Sequence, residues 1–228
     1  MVTTTQSLLH LLQIADSSFP VGGFAFSHGL EWLKQTRAVT DEAGVAEFLR
    51  TYVDQVVGRQ ALPAALAAAR ATSAEGLLRW DERLDASVST QIEREAGRAM
   101  GERLLVGASG AFAGGWRVEA LLSAVRARRT PGQHAVAFGA VAADEGVDAT
   151  TMLTALGFGM TQAVTQAALR LGVIGQAAAA RLLAGASDDL DIAVCRAIEG
   201  RVRFGVFAPN LDAAGLLHAR LPFRMFAS

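Results

Sequence analysis

The chain has 228 residues, 51% of them hydrophobic and 19% charged, with a formal charge of −1. Mean hydropathy is +0.29, which excludes intrinsic disorder. A near-neutral balance excludes broad nucleic-acid binding, which needs a basic footprint. Alanine supplies 45 residues, and Lys34 is the one lysine among 21 basic residues. Ala, Leu and Arg lose little side-chain freedom in helices, so the composition favours an all-α fold. One domain is expected over 1–228, a helical bundle of about eight to ten helices. The apolar fraction exceeds what a lone monomer of this size conceals, and implies a surface that docks on a partner.

In chain order, Ser7–Ala15 reads as a short first helix. Asp16-Ser17-Ser18-Phe19-Pro20-Val21-Gly22-Gly23 reads as a loop. Apolar spacing resumes through Phe24, Leu30 and Leu33. Val45, Phe48, Leu49, Tyr52, Val53, Val56 and Val57 repeat with the spacing of one buried helical face. Thr40 is the expected N-cap, with Asp41 and Glu42 complementing the helix end. Pro63 suits the first turn of a new helix over Ala64–Ala71. Thr90-Gln91-Ile92-Glu93 is a capping box that opens a helix reaching Leu104 or Val106. Gly107, Gly110, Gly114 and Gly115 are expected to loosen the backbone before a segment starting at Trp116. Helices follow over about Gln133–Asp144, Ala149–Leu169, Gly172–Leu183 and Asp188–Glu199. The uncharged Ala149–Leu169 stretch carries Thr150, Thr161, Gln162, Thr165 and Gln166, so it reads as a buried central helix and not as a membrane span. Arg201–Phe207 comes nearest to a strand and has no partner strand.

The search for catalytic motifs is mostly negative. Lys34 is followed by Gln35, so the chain has no Walker-type phosphate loop. Gly157-Phe158-Gly159 lacks the third glycine and the strand of a dinucleotide fingerprint. Gly107-Ala108-Ser109-Gly110-Ala111 lacks the last glycine of a hydrolase elbow. Cys195 is the only cysteine, which excludes an internal disulfide or a cysteine-rich zinc site. The histidines, His10, His28, His134 and His218, stand at no metal-ligand spacing, and no metal site is assigned. His28 and Glu31, three apart, form either a structural hydrogen bond or the acid–base pair of a small helical enzyme. The N-terminus has no signal pattern, and the cytoplasm is the expected compartment.

Ala15-Asp16-Ser17-Ser18-Phe19-Pro20-Val21-Gly22-Gly23-Phe24, followed by Ser27-His28-Gly29-Leu30-Glu31, resembles a motif of the urease accessory protein UreF family. Arg98-Ala99-Met100-Gly101-Glu102-Arg103-Leu104-Leu105 is similar to a second family block. His134-Ala135-Val136-Ala137-Phe138-Gly139 and Arg170-Leu171-Gly172-Val173-Ile174-Gly175-Gln176 are similar to two more, with Ala135 and Val173 replacing prolines. The ending, Leu211-Asp212 through His218 to Arg224-Met225-Phe226-Ala227-Ser228, resembles the family's tail.

The resemblance implies an all-α, non-enzymatic subunit. It would bridge UreD (also called UreH) and the GTPase UreG during GTP-dependent nickel delivery to the urease apoprotein, as a homodimer. Nickel and GTP would be handled by the complex, with no cofactor assigned to this chain. The residues it points to as partner contacts are Pro20, Gly22, Gly23, His28, Glu31, Arg98, Arg103, His134, Arg170, Gln176, His218, Arg224 and Phe226. Pro20, Gly22 and Gly23 make either a tight turn or a backbone surface for a partner, and Glu31 is either a buried anchor or a contact. Arg98 and Arg103 lie about 140° apart round a helix, so at most one faces a partner. Residues 208–228 carry Leu211, Leu216, Leu217, Leu221, Phe223 and Phe226, too apolar for a free end, and are expected to dock on UreD or a second copy.

Overall fold

The computed structural model describes residues 2–227. Helix α1 covers Thr5–Ala15 and is capped by the Thr4 hydroxyl, which accepts from the Ser7 N–H. A single 3₁₀ turn at Gly23–Ala25 precedes the short α2, Leu30–Gln35. Helix α3, Glu42–Thr51, is capped by Asp41, not Thr40: its carboxylate accepts from the Gly44 N–H at 2.9 Å. The expected stripe is buried, with Val45, Phe48, Leu49, Tyr52, Val53 and Val57 all in the core.

Pro63 does not break this rod. The chain runs on as a wider π-helix over Tyr52–Ala61 into α4, Leu62–Ala69. Proline has no N–H to offer the carbonyl four residues back, and a wider turn relieves that mismatch. The Arg59 carbonyl left over accepts instead from the Gly205 N–H at 3.2 Å. Residues 201–207 thus lie across the π-helix as extended coil, and no strand occurs among the described residues. Gln55 adds a bond from the Phe207 N–H, and Phe204 meets Trp80 edge-on.

Helix α5, Ala74–Ser87, has no counterpart in the sequence reading; Ser73 caps it. Its inward polar residues, Asp81 and Asp85, interrupt the apolar stripe on which periodicity depends. Helix α6 begins at the capping box, where the Thr90 hydroxyl accepts from the Glu93 N–H. It continues to Ala111, so Gly107 and Gly110 are helical and do not loosen the backbone. Gly107 instead leaves room for Phe19, since a β-carbon there would lie 2.9 Å from the ring.

Helices α7 (Trp116–Arg126), α8 (His134–Asp144), α9 (Ala149–Arg170) and α11 (Ser187–Ile198) fall close to expectation, while α10 (Gln176–Gly185) starts four residues late because Gly172 turns the chain at φ +71°. Helix α8 fills the centre, with every residue from Ala135 to Ala142 buried. Its small side chains allow close crossings on both sides. A β-carbon on Gly139 would lie 2.2 Å from the Ala65 carbonyl oxygen of α4. One on Gly101 of α6 would lie 1.9 Å from the Gly132 carbonyl oxygen at the entry to α8. Helix α9 runs against α1, α2, α3, α4, α8, α10 and α11. Its buried Thr161 and Thr165 hydroxyls donate back to carbonyls one turn earlier, which makes its polarity compatible with burial. No described helix is long and apolar enough to cross a membrane. Helix α12, Pro209–His218, packs on α2.

Candidate functional site

The loop after α1, the exposed face of α6, the end of α9 and the last residues of the chain converge on α2. The loop is set by Asp16, whose carboxylate accepts from the Ser18 N–H and hydroxyl; these bonds hold its pKa below the ordinary value. Phe19 turns inward and Pro20 outward. Gly22 sits at φ +83°, and a β-carbon there would lie 2.8 Å from an Arg103 nitrogen. Only glycine combines that dihedral with that approach. Arg103 Nη1 donates to the Val21 carbonyl at 3.0 Å, while Met100, one turn away on α6, faces Gly23. Arg103 therefore ties the glycine pair to α6.

Glu31 is the hub. It is 2% exposed, and its two carboxylate oxygens receive three donors. Met225 N–H donates at 2.7 Å, Phe226 N–H at 3.0 Å and His218 Nε2 at 2.8 Å. Burial opposes ionisation, yet the backbone N–H of Met225 together with His218 and Phe226 outweighs it and leaves the pKa lowered. Glu31 is thus an anchor for the chain's own ending. His218 is fully buried, and its Nδ1 has no partner among the described residues. Around the hub, Ala227 N–H donates to the Ala25 carbonyl, and Gln35 Nε2 donates to the Phe223 carbonyl. Arg170 donates to the Phe24 carbonyl and lays its guanidinium 4.4 Å from the centroid of the Phe226 ring.

His28 and Glu31, paired by their spacing, are given different partners. His28 stands at φ +53°, which turns its ring toward Tyr52 and Glu93. Nε2 lies 3.4 Å from the Tyr52 hydroxyl and Nδ1 lies 3.6 Å from a Glu93 oxygen. Burial would raise the Glu93 pKa, but His28 and the Thr90 hydroxyl bring it below the ordinary value.

Arg98 is held from one side while its side chain stays exposed. It forms a bidentate pair with Asp85, both bonds at 2.6 Å. Asp85 also accepts from Gln133 Nε2, and Asp81 accepts from the Thr130 hydroxyl and the Gly132 and Gln133 N–H groups. This network fixes the loop that launches α8. Burial, reinforced by the Asp85 charge, raises the Asp81 pKa against those three bonds. His134 begins α8 as a half-buried residue, and burial pushes its pKa down to about 4. Gln176 lies exposed at the start of α10, a helix packed on α3, α9 and α11, and no bond links it to the hub. Arg224 is exposed and makes no bond among the described residues.

The hub thus gathers Gly22, Gly23, Glu31, Arg103, Arg170, His218 and Phe226. Sequence reasoning gave Thr90 only a capping role, whereas it is also 1% exposed against Gly215 of α12. It also missed Met100 and the Asp81–Asp85 network; buried acids in an amphipathic helix are the signal that could have revealed the last. On the outer rim stand Phe24, Phe223 and Met225, which are 69%, 84% and 60% exposed, among Arg103, Arg170 and Arg224. Aromatic, methionine and arginine side chains are the ones enriched at protein interfaces. Chemically the hub can hold a peptide segment and present a mixed apolar and cationic rim. Among the described residues no cluster of three His, Cys, Asp or Glu could hold a metal ion.

Residues 39–187 match the UreF family. The chain is 34% identical over 223 residues to "Urease accessory protein UreF" of Arthrobacter sp. (strain FB24), with 96% of each chain covered. It is 34% identical over 231 residues to the protein of that name in Geobacillus kaustophilus (strain HTA426), covering 99% of this chain and 100% of the relative. In Trichodesmium erythraeum (strain IMS101) the identity is 29%, with 96% of each chain covered. The family match stops short of both ends of the chain, while these full-length similarities extend over nearly all of it.

Proposed function

Because this chain belongs to the UreF family of urease accessory proteins, we propose that it is a non-catalytic subunit of a nickel-insertion complex. In this reading it bridges UreD (UreH) and the GTPase UreG while nickel, as cargo, passes to the urease apoprotein in the cytoplasm. The observation that carries the reading is the rim around the Glu31 hub. Phe24, Phe223 and Met225 are displayed there on a backbone locked by buried bonds. An apolar surface of that kind is costly in water and favours a protein partner.

A division of labour is consistent with the sequence. With Lys34 followed by Gln35, the chain has no phosphate loop, so GTP hydrolysis would fall to UreG. A second apolar surface supports self-association. Leu8, Leu9 and Leu12 of α1 are exposed, as is Phe158 of α9, the helix on which α1 packs. A homodimer through α1 and α9 would leave the rim free for UreD and UreG.

The test is reconstitution of apo-urease activity with UreD, UreG, GTP and nickel, with and without this chain. Activity should depend on the chain, and Phe223→Asp should weaken capture of UreD or UreG without changing the circular dichroism spectrum. Equal activation in its absence would overturn the proposal.

A further inference from the structure

Away from the hub, α11 packs on the π-helix so closely that a β-carbon on Gly58 would lie 3.2 Å from that of Ala193. Beside this crossing opens a cleft of about 410 Å³. Five arginines line it, drawn from three separate stretches: Arg50 of α3 and Arg59 of the π-helix, Arg196 of α11, and Arg201 and Arg203 of the coil beyond. Only two carboxylates, Asp54 and Asp189, share the lining. Such a concentration of cations stands out in a chain whose formal charge is −1.

Arg59 and Arg196 share a single carboxylate, Asp54, as loose ion pairs. Asp54 lies 3.5 Å from Arg59 Nε and 3.8 Å from Arg196 Nη1, beyond hydrogen-bond length in both cases. Arg59 Nε is buried with no hydrogen-bond partner. Arg50 and Arg203 are exposed and make no bond among the described residues. Arg201 is paired with Glu199, outside the lining. Five guanidinium forks converging on one bowl with two carboxylates in its lining match the oxygen pairs of phosphate groups. The bowl's volume falls in the range of small-molecule sites.

We propose that this cleft binds a small polyanion with two or more linked phosphate groups, either free polyphosphate or the phosphate chain of a nucleotide. Linked phosphates place several charges a few ångströms apart, which suits arginines that approach from three sides. A single sulfate or monophosphate engages only part of the set.

A local reporter is present. Cys195, the only cysteine, is exposed in a hollow that shares Ile192, Arg196 and Arg201 with the cleft. The experiment titrates the purified full chain with tripolyphosphate, ATP, AMP, sulfate and hexaglutamate, by calorimetry and by the rate of Cys195 alkylation. Tripolyphosphate should bind, slow alkylation and weaken steeply with salt. AMP and sulfate should bind at least about tenfold more weakly. ATP matching tripolyphosphate identifies the phosphate chain as the recognised group, and ATP exceeding it adds a base contact. Arg59→Gln with Arg196→Gln should lower affinity by about 100-fold, taking about tenfold for each charged bond lost. Arg50→Gln with Arg203→Gln, at exposed positions without structural bonds, gives a second variant pair in which folding is not at stake. No binding of tripolyphosphate, affinity unchanged in both variant pairs, or tighter binding of hexaglutamate would each overturn the proposal. The last result would mark the surface as one for acidic peptide. Failure here leaves the urease-accessory reading untouched.

Discussion

Glu31→Ala is the sharpest perturbation of the hub. It removes the acceptor for three donors and leaves His218, fully buried, with no partner on either nitrogen. Leaving a buried donor without its acceptor costs about 1–3 kcal/mol for each group. The ending of the chain has a cheaper escape than global unfolding. Undocking Phe226 exposes one aromatic side chain, about 1.5–3 kcal/mol, and gives up the Arg170 contact, about 0.5–1 kcal/mol. The variant should therefore open locally at 218–227, with the opening free energy reduced by about 3 kcal/mol, or roughly 100-fold in amide protection. Hydrogen exchange read by mass spectrometry resolves this, because α8 supplies an internal standard of core protection.

Acid should reproduce the effect in the unmodified chain. The folded Glu31 pKa lies below its unfolded value of 4.5, so its contribution is complete above that value and is lost as pH falls through the folded pKa. Glu31→Gln, which keeps the shape but not the charge, should show a smaller loss and no such pH dependence. Unchanged protection at 218–227 in Glu31→Ala would refute the reasoning, as would an equal loss throughout α8.

Other outcomes follow from the same geometry. Gly101→Ala forces a β-carbon to 1.9 Å from the Gly132 carbonyl oxygen and should lower stability by about 1–3 kcal/mol or more in urea denaturation. Gly110→Ala, in the same helix with nothing within 4 Å, should instead raise it by about 0.5–1 kcal/mol. His134 should titrate by NMR near its depressed pKa of about 4. Folding then leaves it neutral, so its contribution is complete above its unfolded value of 6.5 and declines as pH falls toward 4. Arg170→Ala loses both the Phe24 bond and the Phe226 face, and should increase exchange at 225–227 by about tenfold while leaving α6 and α8 unchanged.

Much of the helical order is local and was therefore readable. The Val45–Val57 stripe and the Thr90 capping box each act within a few residues, and the structure reproduces both. Local rules failed where distant groups compensate. Pro63 does fall in the first turn of α4, yet no break precedes it, because a wider turn and the Gly205 N–H accommodate it. Gly107 looks like a loop residue until Phe19 is seen packed against it. Helix α5 was hidden because Asp81 and Asp85, which read as solvent-facing, are paired inside.

By itself the sequence determined an all-α chain, most of its helix positions and the motifs that resemble UreF, because caps, periodicity and glycine chemistry are short-range. Only the tertiary structure decided what those motifs do together. Glu31 and Phe226 are bonded at 3.0 Å although 195 positions separate them, and Arg98, a partner candidate by sequence, is committed to Asp85. The same packing gathered arginines from three stretches into one cleft, a convergence that no sequence spacing encodes.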